Sequence, residues 1–206
     1  MKHIAYKQHD IVIFDLDASV LLGDSEFDKD LTTAFDLACI QCSEAPAGSY
    51  QTIDYALLAM PGFMKLLTNL YPVVEQARQF YKITNSILSI RRLWANKIYQ
   101  GCQSNTHRHT SVIDDACDFV GIFYYQADEL ASKLVITELD DIGLWDSDIE
   151  ESKKQYISAV PARFVFHPPG LVHAVSLHQS LMPRICFVFE FEFIQQNQIN
   201  QRDICL

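Results

Sequence analysis

The chain has 206 residues, enough for one compact domain with a large core. Apolar residues make up 49% and charged residues 20%, the balance of a soluble globular protein. The formal charge of −10 argues against a general binder of nucleic acid or of an anionic membrane, and no window holds the roughly 18 apolar residues of a membrane span. The start, M-K-H-I-A-Y-K-Q-H-D, has no apolar core of the kind a signal peptide needs, so a cytoplasmic location is expected. The six cysteines are irregularly spaced and are expected to stay reduced there. Cys39 and Cys42 form a C-x-x-C with no second pair to complete a zinc site, and they read as small buried hydrophobes in a helical pattern.

Residues 10–16, D-I-V-I-F-D-L, predict a strand. From Ser25, residues Phe27, Leu31, Ala34, Phe35, Ala38 and Cys42 recur near the helical period, with Asp24 or Ser25 as N-cap. E-A-P-A-G-S at 44–49 should stop that helix, and a shorter helical piece is expected over Thr52 to Ala59. Pro61 is well placed to open the next helix, whose apolar face runs from Phe63 to Tyr81 and which Pro72 should kink or divide.

After Thr84 the texture becomes that of strands: 87–99, 119–125, 132–137, 156–160, 163–166, 171–177 and 185–194. Residues 138–155 carry seven Asp or Glu and read as a solvated acidic excursion or a lid. Helices first and then about eight short strands suggest a mainly β protein, with helices packed on a β-sandwich or jelly roll. No linker divides it, so residues 1–206 are expected as a single domain, with N-terminal strand and helices at 1–86 and the β core at 87–194.

One stretch in the β region carries chemistry. Gly101 to His109, G-C-Q-S-N-T-H-R-H, ends in two histidines one residue apart. On a strand both imidazoles face one space, and imidazole is a common metal ligand. His173 in P-P-G-L-V-H offers a third, and Arg184 lies eleven positions beyond it. Alone, an H-x-H is more often an ordinary pair of surface or core histidines, and a late strand arginine is more often an ion-pair residue. The combination of all four makes a metal centre with a cation beside it for an acidic cosubstrate.

W-A-N-K-I-Y-Q-G-C-Q-S-N-T-H-R-H at 94–109, F-V-G-I-F-Y-Y at 119–125, R-F-V-F-H-P-P-G-L-V-H at 163–173 and P-R-I-C-F-V-F at 183–189 resemble the iron(II)- and 2-oxoglutarate-dependent oxygenases, in particular a bacterial and phage group. The resemblance covers roughly residues 87–194. It implies a double-stranded β-helix with helices packed on one sheet, iron(II) and 2-oxoglutarate as cofactors, and hydroxylase-type oxidation of a C–H bond with conversion of 2-oxoglutarate to succinate and CO2. His107, His109 and His173 take the metal positions, Arg184 the position that meets the distal carboxylate of 2-oxoglutarate, and Tyr125 or Tyr124 a supporting hydrogen bond to it. Cys186 replaces the serine of the family's R-x-S. The larger departure is His109, which stands where the family has a carboxylate; Asp114 or Asp115 is the alternative third ligand. His167 and His178 flank the distal motif and are expected beside the site or at the surface.

Two other functions stay open at this stage. Gly101, His107, His109, Asp114 and Gly121, with Pro168, Gly170 and His173, also follow the two cupin motifs, with Asp114 in place of a glutamate. That would mean the same fold with a metal-dependent enzyme or ligand-binding role and no 2-oxoglutarate. A non-catalytic β-helix binding protein is the third. The expected partner is a small-molecule or peptide substrate of unknown identity, with no nucleic acid, no membrane and a homodimer left open.

Overall fold

The computed structural model describes residues 1–37, 39–41, 48–53, 56–84, 86–110 and 117–195. Its axis is the last strand, β12 (Arg184–Gln195), which pairs antiparallel with β5 (Ser86–Ile98) on one side and β7 (Phe119–Gln126) on the other. The sequence of β12 alternates, and each half of the alternation meets a different neighbour. Phe187, Phe189, Phe191 and Phe193 face a core shared with the helices, whereas Cys186 and Val188 face a second core. A sheet with an apolar layer on both faces has to be covered twice.

The outer cover is helical. Helix α2 (Ser25–Leu37) begins where Asp24 accepts a hydrogen bond from the Glu26 amide at 3.0 Å, as the sequence predicts. Helix α3 (Pro61–Phe80) opens at its proline. The two helices cross at Gly62, whose amide donates to Asp30 Oδ2 at 2.8 Å. A Cβ there would stand 2.8 Å from the Phe27 backbone, so only glycine permits the approach. Phe27 and Phe63 then reach Phe187 at ring separations of 5.5 and 5.4 Å. Tyr81, just past α3, donates to the carbonyls of Asp10 and Phe166 and pins the helix end to the sheet.

The major sheet runs β1-β2-β10-β7-β12-β5-β4-β3, adding β1 (Lys2–Tyr6), β2 (His9–Asp15), β3 (Cys39–Gln41), β4 (Ser49–Thr52) and β10 (Arg163–His167). Opposite it lies the minor sheet β6-β11-β8-β9, made of β6 (Ser104–His107), β8 (Leu134–Ile136), β9 (Gln155–Ile157) and β11 (His173–Val175). Ile11, Ile13, Val120, Ile122, Leu134, Ile136, Val165 and Val188 fill the space between the sheets. This is the jelly-roll arrangement expected from the order of elements. The division at residue 86 does not separate two layers, since β1 to β4 are strands of the major sheet itself.

Several local expectations are corrected. The helix expected to run to Cys42 stops at Leu37, and Cys39 lies in β3; Cys42 is outside the described residues. Ser49–Thr52 is a strand paired with β5, and among the described residues of the expected helical piece Ala56–Ala59 is helical, as a 3₁₀ turn. Pro72 does not divide α3. Thr68 and Pro72 are both exposed, so the carbonyl that proline leaves without a donor faces water. The acidic stretch forms three short 3₁₀ turns at 139–141, 146–148 and 151–153 and is docked on β6: the Thr106 amide donates to Leu144 O and the Gly143 amide to Thr106 O. Among the described residues, no helix is long and apolar enough to cross a membrane.

Candidate metal centre

The site forms where the minor sheet brings β6 against β11. His107 and His173 are direct antiparallel partners. Opposed residues on paired strands put their side chains side by side, and the two rings are 4.5 Å apart between centroids. β6 ends at His107, and beyond it the His109 amide donates to Pro169 O at 3.0 Å, which ties His109 to the turn before His173. The His109 ring comes to 5.8 Å from that of His107 and 5.2 Å from that of His173. One nitrogen from each of His107, His109 and His173 falls within 4.8 Å of the others. The sequence-predicted triad is brought together; Asp114 and Asp115 lie outside the described residues.

Each ring has its Nδ1 engaged. His107 Nδ1 lies 3.0 Å from Asn105 O, His173 Nδ1 lies 3.0 Å from Leu171 O, and His109 Nδ1 lies 2.8 Å from Glu190 Oε1. All three neighbours are acceptors, so Nδ1 carries the proton and Nε2 the lone pair that a metal needs. His173 is buried and His107 is the most open of the three. Burial, followed by the proximity of His107, drives the His173 pKa well below the ordinary value, so the ring is neutral and ready to bind a cation.

Trp94 of the W-x-N lead-in stacks on His109 at 5.9 Å, and the Arg92 guanidinium lies 5.0 Å over Trp94. His167, at the end of β10, is wholly buried 4.8 Å from the His173 ring. Its Nδ1 is bonded to Pro168 O at 2.8 Å and its Nε2 has no partner. Burial, then the nearby His109, lowers its pKa to about 3, so it stands beside the triad as a neutral acceptor. His178 is a structural residue, bonded to the Ser132 amide and Met182 O.

The second cluster lies at the start of β12, on the major sheet. Arg184 is 2% exposed, with its guanidinium 4.9 Å over the Tyr124 ring. Its Nε and Nη1 have no hydrogen-bond acceptor, and neither has the Tyr124 hydroxyl a partner. Burial raises the pKa of both Tyr124 and Cys186, so phenol and thiol remain neutral beside the cation. A buried guanidinium with orphaned N–H groups costs several kcal/mol unless an anion completes it, on the order of 3–5. That is the vacancy a carboxylate would fill, bidentately.

Of the residues named for the cosubstrate, Arg184 and Cys186 are brought to this place and Tyr125 is not. Tyr125 sits on the helix-facing side of β7, where its hydroxyl donates to Asp28 and its ring packs on Phe27. Tyr124 takes the position instead. The sequence leaves that choice open, because consecutive tyrosines face opposite ways and only register decides between them. Glu190 was legible as one of two acids on the last strand but not as the partner of His109, from which it is 81 residues away. A groove of about 430 Å³ is lined by Tyr6, Lys7, Arg108, Glu138, Gly170 and Val172, and none of the three histidines lines it.

No family model matches the sequence, and no curated protein matches it. Solved structures do. A 2OG-Fe(II) oxygenase family oxidoreductase from Burkholderia pseudomallei aligns over 90% of this chain and 87% of its own, with TM-score 0.57 and 12% identity. A prolyl-4-hydroxylase from Pseudomonas putida aligns over 92% of this chain and 94% of its own, with TM-score 0.60 and 11% identity. HygX from Streptomyces hygroscopicus, solved with nickel, 2-oxoglutarate and hygromycin B bound, aligns over 88% and 82%, with TM-score 0.62 and 11% identity. At this identity the likeness is one of fold: the chain folds as these 2-oxoglutarate oxygenases do, over nearly its whole length.

Proposed function

We propose that the protein is an iron(II)- and 2-oxoglutarate-dependent oxygenase, a hydroxylase-type enzyme. The observation that carries this is the pairing of two groups of side chains from opposite sheets. Three imidazoles converge on the minor sheet, and a buried guanidinium with two unsatisfied donors stands at the start of β12 in the major sheet. The donor set fits iron(II), since imidazole nitrogens suit the borderline first-row metals and three of them leave open positions for a cosubstrate and oxygen. When bound together, iron(II) and 2-oxoglutarate supply oxidation of an unactivated C–H bond, with 2-oxoglutarate ending as succinate and CO2.

The chain's own residues do the rest. His107, His109 and His173 hold the metal; Arg184 fixes the far carboxylate of the cosubstrate, with Tyr124 and Cys186 at its sides. The apolar layer of Val120, Ile122, Val165 and Val188 limits water between the sheets. A cupin-type enzyme would use the same triad but gives no role to Arg184, whose orphaned donors favour the oxygenase.

The test is direct. Protein purified without metal should bind about one iron(II), in line with the one three-histidine cluster among the described residues, and should then turn 2-oxoglutarate into succinate when oxygen is admitted. His173→Ala should abolish iron binding. Iron uptake without any 2-oxoglutarate turnover would sink the oxygenase and leave the cupin reading standing.

A further inference from the structure

We infer that Glu190 is the carboxylate of this metal centre, acting one bond further out, through His109. The inference rests on the triad binding a divalent metal as proposed above. A facial site of two histidines and one carboxylate brings one negative charge to the metal, whereas three neutral imidazoles bring none. Here the difference is made up close by. Glu190 is 6% exposed, and its Oε1 accepts from His109 Nδ1 at 2.8 Å.

The arrangement is built rather than incidental. Glu190 lies on β12 directly opposite Arg92 of β5, the last pair before a bulge in that ladder. Arg92 Nη1 is 3.8 Å from Glu190 Oε1, Arg92 covers Trp94, and Trp94 stacks on His109. Four residues thus close a ring that fixes both the orientation and the tautomer of one ligand. The other two ligands differ: their Nδ1 atoms meet the neutral backbone carbonyls of Asn105 and Leu171. A carboxylate acceptor makes its histidine the more electron-rich donor and keeps a negative charge within the metal's field. Glu190 is a positioning residue, since it touches the metal only through His109.

The experiment is titration of the metal-free protein with cobalt(II), followed by the visible absorption of the bound ion, which needs no turnover. Glu190→Gln keeps an oxygen that can accept from His109 but removes the charge, and it should weaken cobalt(II) binding about tenfold or more. Glu190→Asp keeps the charge and should retain more affinity than Glu190→Gln. In a His109→Asp background, where the carboxylate returns to the metal itself, Glu190→Gln should cost less than about threefold, a coupling that a merely structural role would not show. Unchanged affinity in Glu190→Gln would overturn the inference, as would an equal loss in both backgrounds or Glu190→Asp binding more weakly than Glu190→Gln. Failure of the unmodified protein to bind cobalt(II) would instead remove the metal centre itself.

Discussion

At Arg184 the balance of charge decides the chemistry. Its neighbours Tyr124 and Cys186 are neutral, and its Nε and Nη1 are unsatisfied, which is why an anion is the ligand we propose for it. Arg184→Ala should leave iron binding intact while raising the 2-oxoglutarate concentration needed for half-saturation by about 10- to 100-fold, the worth of a charge-assisted pair. Equilibrium dialysis of both ligands checks this, and loss of iron from the folded variant would contradict the division of roles. Arg184→Lys should recover only part of the affinity, because an ammonium lacks the planar fork.

His167 and His173 give a pH prediction for the metal-free protein. Burial depresses both pKa values in the native state, that of His167 to about 3, whereas an unfolded histidine titrates near 6.5. Above that pH neither state is protonated and stability is complete. As the pH falls, the unfolded chain takes up protons that the native chain refuses, so stability is lost from roughly pH 6.5 downward. By pH 5 the loss should be about 2 kcal/mol from His167, with a further loss in the same direction from His173, before most carboxylates titrate. Denaturant melts between pH 7 and pH 5 measure it, and His167→Phe should flatten part of the slope. A level profile would mean that these rings are not buried as described.

At the scale of elements, close helix packing gives the sharpest expectation. Gly62→Ala would press a methyl group onto the Phe27 backbone, which cannot yield as a side-chain tip can. It should cost about 1–3 kcal/mol in chemical denaturation, typical of overpacking, with little effect on metal affinity. An alanine tolerated without cost would place α2 and α3 further apart.

Elements also divide by how legible they are in the sequence. Strand β12 was clear because its two faces differ so strongly, phenylalanines on one and Arg184, Cys186, Val188 and Glu190 on the other. The edge strand β1 and the short strand β4 were not. K-H-I-A-Y is mostly exposed and S-Y-Q-T is four residues long, so neither carries enough apolar alternation to announce itself. Helix α2 was extended too far because the apolar period runs on past Leu37 in sequence, and periodicity alone cannot see the strand that β4 draws out there. The triad was legible for a local reason, spacing along one strand, and its third member from the turn P-P-G that precedes it. The link from His109 to Glu190 and the choice of Tyr124 over Tyr125 were not, since both depend on register between strands far apart in the chain.

For the whole molecule, two sheets and a helical cover place the three-histidine cluster on the minor sheet and the buried Arg184 on the major sheet. The layers explain why the same strand can be packed on one side and chemical on the other. The central claim is that the cation on β12 serves a cosubstrate bound to the metal held by the histidines. The most direct measurement is an anaerobic titration of the iron(II)-loaded protein with 2-oxoglutarate, followed by visible absorption. A new band that grows to saturation in the unmodified protein, and that in Arg184→Ala requires about tenfold or more 2-oxoglutarate, is the predicted result. An iron(II) protein whose spectrum does not respond to 2-oxoglutarate would contradict the account.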